Sequence, residues 1–367
     1  MNDTKKIPLV DLAWQHSEIE QEVWAGWREV TENTSFVLGP HVARFEEEFA
    51  VFSGVNHCLG VGSGTDALEL ALRAMGIAPG DEVILPANTF IATALAVTRA
   101  GATPVLVDCE PGNYLISPES IEPAVTKRTR AIIPVHLYGQ MAPVREIREA
   151  FPGLVVVEDG AQSQGAVRHG SPSGSVGHVA ATSFYPGKNI GAYGDAGAVL
   201  TGDDGIADSV FKLRNWGSGI KYHHPEKGFN SRLDTIQAVV LLAKLARLAE
   251  WNKLRAEAAE RYGEMLRTSP IELPEVLDGN SHVWHLYVIQ TADRDVVLVR
   301  LNENGIGAGI HYPVPIHLQG AYSDLGYGIG SFPVAEALAN RALSLPMYPG
   351  ITEDDQDRVV SRLIESL

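Results

Sequence analysis

Cysteine is almost missing from this chain: Cys58 and Cys109 are the only two among 367 residues. Each lies in a strand-like apolar stretch, so they read as buried free thiols rather than a disulfide framework or a metal cluster. Positive charge is scarce as well. The 29 Lys and Arg residues face 45 Asp and Glu, a formal net charge of −16, which argues against a nucleic-acid binder that works by neutralising phosphates. An anionic ligand would need local cations in its site, set against the average field. No apolar run approaches the length of a membrane span, and none follows the lysines in Met1–Lys6 as a secretory leader requires. A soluble cytoplasmic protein is the expectation. Internal repeats, low-complexity segments and flexible linkers are also missing, and the adjacent His223 and His224 lack the further spaced ligands of a metal site.

What is present is ordinary globular composition, 45% hydrophobic and 20% charged, in a chain long enough for two domains. Short apolar stretches at 58–61, 82–85, 103–107, 131–135, 154–157, 180–184 and 198–200 alternate with helical segments. That alternation argues an α/β layered domain with a mostly parallel seven-stranded sheet flanked by helices. The region 17–52 reads as amphipathic helix broken at Gly39-Pro40. A long pattern rich in Ala, Leu, Lys and Glu over 233–266 reads as a connecting helix, with a coiled-coil partner helix as the competing account. Segments 280–289, 296–300 and 306–311 then suggest a smaller α+β unit. The expected division is a large α/β domain over 1–245 and a small C-terminal domain over 246–367.

Three local patterns carry chemistry. The first is Ser183-Phe184-Tyr185-Pro186-Gly187-Lys188, a rigid turn that ends in a lysine and precedes the glycine-rich run 191–197. A lysine amine held this way can form a Schiff base with pyridoxal 5'-phosphate. The second is Leu154–Val157 running into Glu158-Asp159, a buried strand with an acid at its carboxyl end, where ligands bind in open α/β sheets. Asp159 is placed there to keep a pyridine nitrogen protonated and make the ring an electron sink, with helix capping as the plain alternative. The third is 58–68, a strand, a glycine turn and a helix start. Glycine lets backbone N–H groups approach a phosphate at a helix N-terminus. No Gly-Lys-Ser/Thr follows, and Thr65 stands where a dinucleotide fingerprint has its third glycine, so the cradle is of another kind.

In this order the stations resemble the DegT/DnrJ/StrS family of nucleotide-sugar aminotransferases, a branch of the fold-type I enzymes dependent on pyridoxal phosphate. The resemblance runs from Pro8–Leu12 through Gly62–Ala67, Pro86–Thr93, Pro134–Gly139, Glu158–Ala161, Ser183–Lys188 and Gly228–Gln237 to His311–His317. It implies Lys188 as the Schiff-base lysine and Asp159 as the pyridinium contact. It further implies Phe90 stacked on the cofactor ring, Gln162 beside its phenolic oxygen, and Gly64, Thr65 and Ser183 around its phosphate. Asn230 matches an asparagine supplied by a partner subunit, so a homodimer with shared sites is implied. Tyr185, Lys221, Tyr222, Tyr312, His317 and Gln319 are the implied substrate contacts. One departure is Ala196, where many members carry glycine; the added methyl is tolerable unless φ is positive there.

The implied reaction moves nitrogen from L-glutamate, through pyridoxamine 5'-phosphate, onto a nucleotide-linked keto-deoxysugar. The residues around Lys221 and Tyr312 resemble members that aminate C3 of a dTDP-3-keto-6-deoxyhexose more than those acting at C4. Related sugar dehydratases carry histidine at the lysine position, and Lys188 favours transamination over them. A nucleotide-sugar sensor without turnover is the reading from outside catalysis, and it has no use for a Schiff-base lysine.

Overall fold

The computed structural model describes residues 6–367; the stretch read above for a leader lies outside the described residues except for Lys6. Seven strands form one sheet: β1 (His57–Val61), β2 (Glu82–Pro86), β3 (Thr103–Val107), β4 (Thr129–Ile132), β5 (Val155–Asp159), β6 (Val179–Ser183) and β7 (Gly197–Thr201). Their spatial order is β1-β7-β6-β5-β4-β2-β3, and β7 alone pairs antiparallel with its neighbours. All seven apolar stretches are therefore strands, in a mostly parallel sheet as expected.

The two-residue period of a strand divides these side chains between two layers. Val61, Val83, Leu85, Val157, Ala181 and Val199 point into one cluster with the helices α4 (Gly64–Ala74) and α5 (Ile91–Ala100), numbered after α1 (Leu12–Ser17), α2 (Glu20–Glu32) and α3 (Pro40–Phe52). On the other face Cys58, Ala180, Ala198 and Leu200 meet Phe45 and Phe49 of α3, while Ile84, Ile132 and Val156 meet Val144 and Ile147. Burial on both faces is why these strands read as continuous apolar runs. Both cysteines are buried and free, and burial pushes their thiols upward. The break at Gly39-Pro40 is real: Gly39 caps α3, and Pro40 takes its first turn, where a missing N–H costs nothing.

The long pattern forms a single helix, α6 (Thr235–Leu266), 32 residues and about 48 Å at 1.5 Å per residue. Its first half packs Ala238, Leu241, Leu242, Leu245 and Leu248 into the large unit. Its second half places Ala258, Ala259, Tyr262 and Leu266 in a separate C-terminal cluster. The division after residue 245 thus falls inside one continuous helix, which buries itself within its own chain along both halves. The C-terminal cluster also holds β8 (Tyr287–Gln290) paired antiparallel with β9 (Ala342–Leu345), and the helices α7 (Arg294–Glu303) and α8 (Glu353–Glu365). Ile7 crosses to this unit: its N–H donates to Gly305 O at 2.9 Å, and its side chain lies in the same cluster. No helix among the described residues is long and apolar enough to cross a membrane.

Candidate active site

The carboxyl ends of β5 and β6 open into a cleft of about 510 Å³ lined by Lys188, Asp159, Ser183, Gly64, Phe90 and Tyr312, among others. Each side chain reaches it for a local reason. Phe184 is fully buried, edge-on to Phe45 (5.3 Å) and Phe49 (5.2 Å), and anchors the turn that follows β6. Tyr185 then faces outward into the cleft, and Lys188 N–H closes the turn on Tyr185 O at 2.8 Å. Gly191 is required where it stands, since a Cβ there would lie 2.2 Å from Pro186 O. Ala196 has no positive φ and buries its methyl against the α3 layer, so the departure from glycine costs nothing.

Asp159 ends β5 in a fixed orientation. Thr93 Oγ1 donates to its Oδ2 at 2.8 Å, and Ala161 N–H donates to Oδ1 at 3.2 Å. Burial raises its pKa, opposed by those hydrogen bonds and by the nearby Lys188 amine. Lys188 is lowered to about 8 by burial, with Asp159 pulling the other way. A lysine poised near neutrality next to a buried acid is a reactive amine rather than a surface charge. Behind Asp159, Glu158 and His136 are both fully buried and bonded at 2.7 Å. Ala142 N–H donates to His136 Nδ1, so Nε2 carries the hydrogen and donates to Glu158. Burial alone would raise Glu158, but His136 and the N–H groups of Gly177 and Gly174 hold it below the usual range.

An anion cradle faces this pair. Ser63 caps α4 by accepting from Asp66 N–H at 3.1 Å, and Gly64 and Thr65 of the first turn line the cleft. A Cβ on Gly64 would sit 2.6 Å from Ser183 Cβ, so glycine is what lets the helix end close on the strand end. Helix-start N–H groups with two hydroxyls nearby suit a phosphate. Phe90, half exposed, stands over the cleft with its ring 5.4 Å from that of Tyr312. Gln162 is buried; its Oε1 accepts from Tyr138 N–H at 2.7 Å, and its Nε2 donates to Tyr312 OH at 3.0 Å. One amide hydrogen remains for a ligand oxygen. An amine, an opposed buried acid, an aromatic face and an anion cradle in one cleft fit the donor set of pyridoxal phosphate.

Nine residues singled out from the sequence thus meet: Gly64, Thr65, Phe90, Asp159, Gln162, Ser183, Tyr185, Lys188 and Tyr312. Others do not. Lys221 and Tyr222 line a separate surface hollow with Trp216 and Arg232, the Lys221 ammonium 5.1 Å from the Tyr222 ring centre. His317 is buried away from the cleft, its Nε2 donating to Glu336 Oε1 at 3.0 Å and its ring edge-on to Phe332. Gln319 spends an amide hydrogen on Val314 O of its own loop. As placed, neither of the last two faces this cleft. Asn230 is exposed on the loop that carries Lys221, and does not line this cleft. Thr93, His285 and His311 also line the cleft, with no role read for any of them from the sequence. Thr93 had a signal, since it lies one helical turn beyond Thr89, with the hydroxyls 2.9 Å apart. His311 opens the His311–His317 motif of the resemblance, though no role was read for it, and His285 had no signal, because only tertiary packing brings it to the cleft.

The profile of the DegT/DnrJ/EryC1/StrS aminotransferase family matches residues 17–364. Among curated relatives, the erythromycin biosynthesis sensory transduction protein EryC1 of Saccharopolyspora erythraea is 45% identical over 97% of this chain and 98% of its own. The dTDP-3-amino-3,4,6-trideoxy-alpha-D-glucose transaminase of Streptomyces venezuelae is 44% identical over 99% of this chain and 97% of its own. The UDP-N-acetyl-3-dehydro-alpha-D-glucosamine 3-aminotransferase of Acidithiobacillus ferrooxidans is 44% identical over the full length of both. Of solved structures, Streptomyces venezuelae DesV in complex with a ketimine intermediate superposes with a TM-score of 0.97 at 44% identity, covering 99% of this chain and 98% of that one. Bacillus subtilis NtdA, with bound cofactor PMP, gives 0.90 at 32% identity, covering 100% of this chain and 85% of that one.

Proposed function

The chain belongs to the DegT/DnrJ/EryC1/StrS aminotransferase family and is a sugar aminotransferase that works with pyridoxal phosphate; on that premise we propose that it moves the amino group of L-glutamate onto C3 of a dTDP-3-keto-6-deoxyhexose. The observation that carries amino transfer is Lys188 and Asp159 opposed in one cleft beside the Gly64–Ser183 cradle. C3 rests on two relatives whose names both specify position 3, one on a dTDP-sugar and one on a UDP-sugar.

Pyridoxal phosphate, when bound, supplies an aldehyde that amines can join and a ring that takes up the electrons of the broken C–H bond. Gly64, Thr65 and Ser183 hold its phosphate, and Phe90 covers one face of its ring. Asp159, kept rigid by Thr93 and Ala161, keeps a proton on the ring nitrogen. Gln162 donates to the phenolic oxygen with its remaining amide hydrogen. Lys188 would be the nucleophile that carries the cofactor; once released, its amine could take the proton from the donor's Cα and, as a general acid, deliver it to the carbon that was the cofactor's aldehyde. With a pKa near 8 it can do both at neutral pH. Tyr185 and Tyr312 face the sugar from the cleft walls.

Asn230, Lys221 and Tyr222 lie on one exposed loop outside their own cleft, which is the placement expected of residues given to a partner's site. A homodimer in the cytoplasm, with Asn230 completing the partner's phosphate site and Lys221 meeting the pyrophosphate, follows as part of the proposal. So does a functional division near residue 245, within α6.

The test is to give the purified protein, with L-glutamate, matched 3-keto and 4-keto dTDP-sugars and a 3-keto UDP-sugar. The expected product is the 3-amino dTDP-sugar; turnover of the 4-keto substrate alone would overturn the C3 assignment, and preference for the UDP-sugar the nucleotide.

A further inference from the structure

Asp159 can hold a proton on a ring nitrogen only while it stays ionised itself. Burial works against that by pushing its pKa up, and of the influences that oppose burial the Thr93 hydroxyl is the largest, ahead of the Ala161 N–H and the Lys188 amine. The Tyr312 phenol also lies near the carboxylate, and His136 behind it spends its two ring nitrogens on Glu158 and on Ala142 N–H. A hydrogen bond given to the charged form of an acid favours that form. The direction in which the Thr93 hydrogen points therefore bears on whether Asp159 keeps its charge.

A second threonine fixes that direction. Thr89 and Thr93 are both almost fully buried, and their Oγ1 atoms lie 2.9 Å apart. Thr93 Oγ1 is also 2.8 Å from Asp159 Oδ2. With Thr89 donating to Thr93 and Thr93 donating to Asp159, each hydroxyl hydrogen has an acceptor, and the chain ends on a carboxylate that only accepts. The reverse order needs a protonated Asp159 donating to Thr93, and it strands the Thr89 hydrogen, for which the described residues offer no other acceptor. Leaving a buried donor unmade is costly, so the packing favours the order that requires the charged acid. Phe90, between the two threonines, is the N-cap of α5, and its carbonyl accepts from Thr93 N–H at 3.2 Å. One helix start thus places both hydroxyls and the aromatic cover.

We infer that Thr89 and Thr93 form a directed hydroxyl chain that keeps Asp159 ionised, so that the proton between this acid and the cofactor's ring nitrogen stays on the nitrogen. Both threonines are positioning residues that act through Asp159. Hydroxyls in series polarise one another, so the outer one strengthens the bond that the inner one gives to the carboxylate. The inference rests on the reading of Asp159 as the partner of that nitrogen.

Thr93→Val keeps the branched shape and removes the donor, whereas Thr93→Ser keeps the donor. Each variant is loaded with pyridoxal phosphate isotopically labelled at its ring nitrogen, whose NMR shift at neutral pH distinguishes a protonated from a bare nitrogen, and the half-reaction with L-glutamate is timed. The ring nitrogen should be protonated in wild type and Thr93→Ser and displaced toward the bare position in Thr93→Val. The half-reaction should slow about 10- to 100-fold in Thr93→Val and stay within about threefold of wild type in Thr93→Ser. Thr89→Val removes only the outer bond and should slow it about three- to tenfold, with a smaller displacement of the same signal. On an Asp159→Asn background, adding Thr93→Val should cost no more than about twofold, because the group it acts through is gone. A nitrogen that stays protonated in Thr93→Val, equal losses in Thr93→Val and Thr93→Ser, wild-type behaviour of Thr89→Val, or an undiminished further loss on the Asp159→Asn background would overturn the inference. If Thr93→Val does not take up cofactor, Thr93→Ala is read by the same measurements. A bare ring nitrogen in the wild-type protein sinks instead the reading of Asp159 itself.

Discussion

Two lysines of this chain are pushed to about 8 by burial, Lys188 in the cleft and Lys244 on α6. Their surroundings differ. Lys188 has Asp159 opposing the shift, an open cleft in front and an anion cradle facing it. Lys244 has no acid paired with it among the described residues; burial is what acts on it, and the Tyr193 ring lies 5.1 Å from its ammonium, in the layer where α2 packs on α6. A lowered pKa by itself therefore does not mark a site. The opposing charge, the opening and the cradle do.

The comparison breaks first if Lys188→Ala keeps turnover. We expect at least about a 10⁴-fold loss in kcat, with pyridoxal phosphate still bound noncovalently, measured by steady-state assay and by the position of the absorbance band. Asp159→Asn is next: it removes the group that holds the ring proton, and about a 100- to 1,000-fold loss should appear in the half-reaction with L-glutamate. The third outcome concerns pH. Only the neutral amine of Lys188 attacks, so reconstitution of cofactor-free protein should slow about tenfold for each unit below about 8 and level off above it. Stopped-flow absorbance checks this, and a profile flat from 6 to 9 would contradict the lowered value.

Lys244 gives the smallest effect, and one of opposite kind. In the unfolded chain it holds its proton up to its ordinary value near 10.5, in the fold only to about 8. Its cost to stability is thus fully present below about 8 and is relieved as pH climbs from there toward 10.5. Lys244→Met should leave kcat within about twofold and raise stability at pH 7 by roughly 1–3 kcal/mol, with the gain shrinking above pH 8. Urea midpoints of both proteins across that range are the measurement.

Much of this was legible locally. Each strand of the sheet announced itself as an apolar run because it is buried on both faces, and Phe184-Tyr185-Pro186-Gly187-Lys188 announced a turn because proline and glycine restrict or free the backbone there. Less legible were residues whose meaning depends on a neighbour far along the chain. His317 sits in a motif that suggests substrate, yet packing hands it to Glu336, 19 residues on. Lys221 and Tyr222 read as part of the site, yet they lie on a loop whose own cleft is elsewhere. Thr93 reaches Asp159 across 66 residues, and His285 reaches Asn189 across 96.

By itself the sequence determined the order of strands and helices, the reactive lysine, the acid at the end of β5 and the glycine that lets α4 close on Ser183, because each of these is written in a few consecutive residues. The tertiary structure decided which lysine has an acid opposite it, which side chains from distant segments line its cleft, and that a single helix joins the two packed units. Those depend on burial and on hydrogen-bond partners dozens of residues away, and neither exists until the chain has folded.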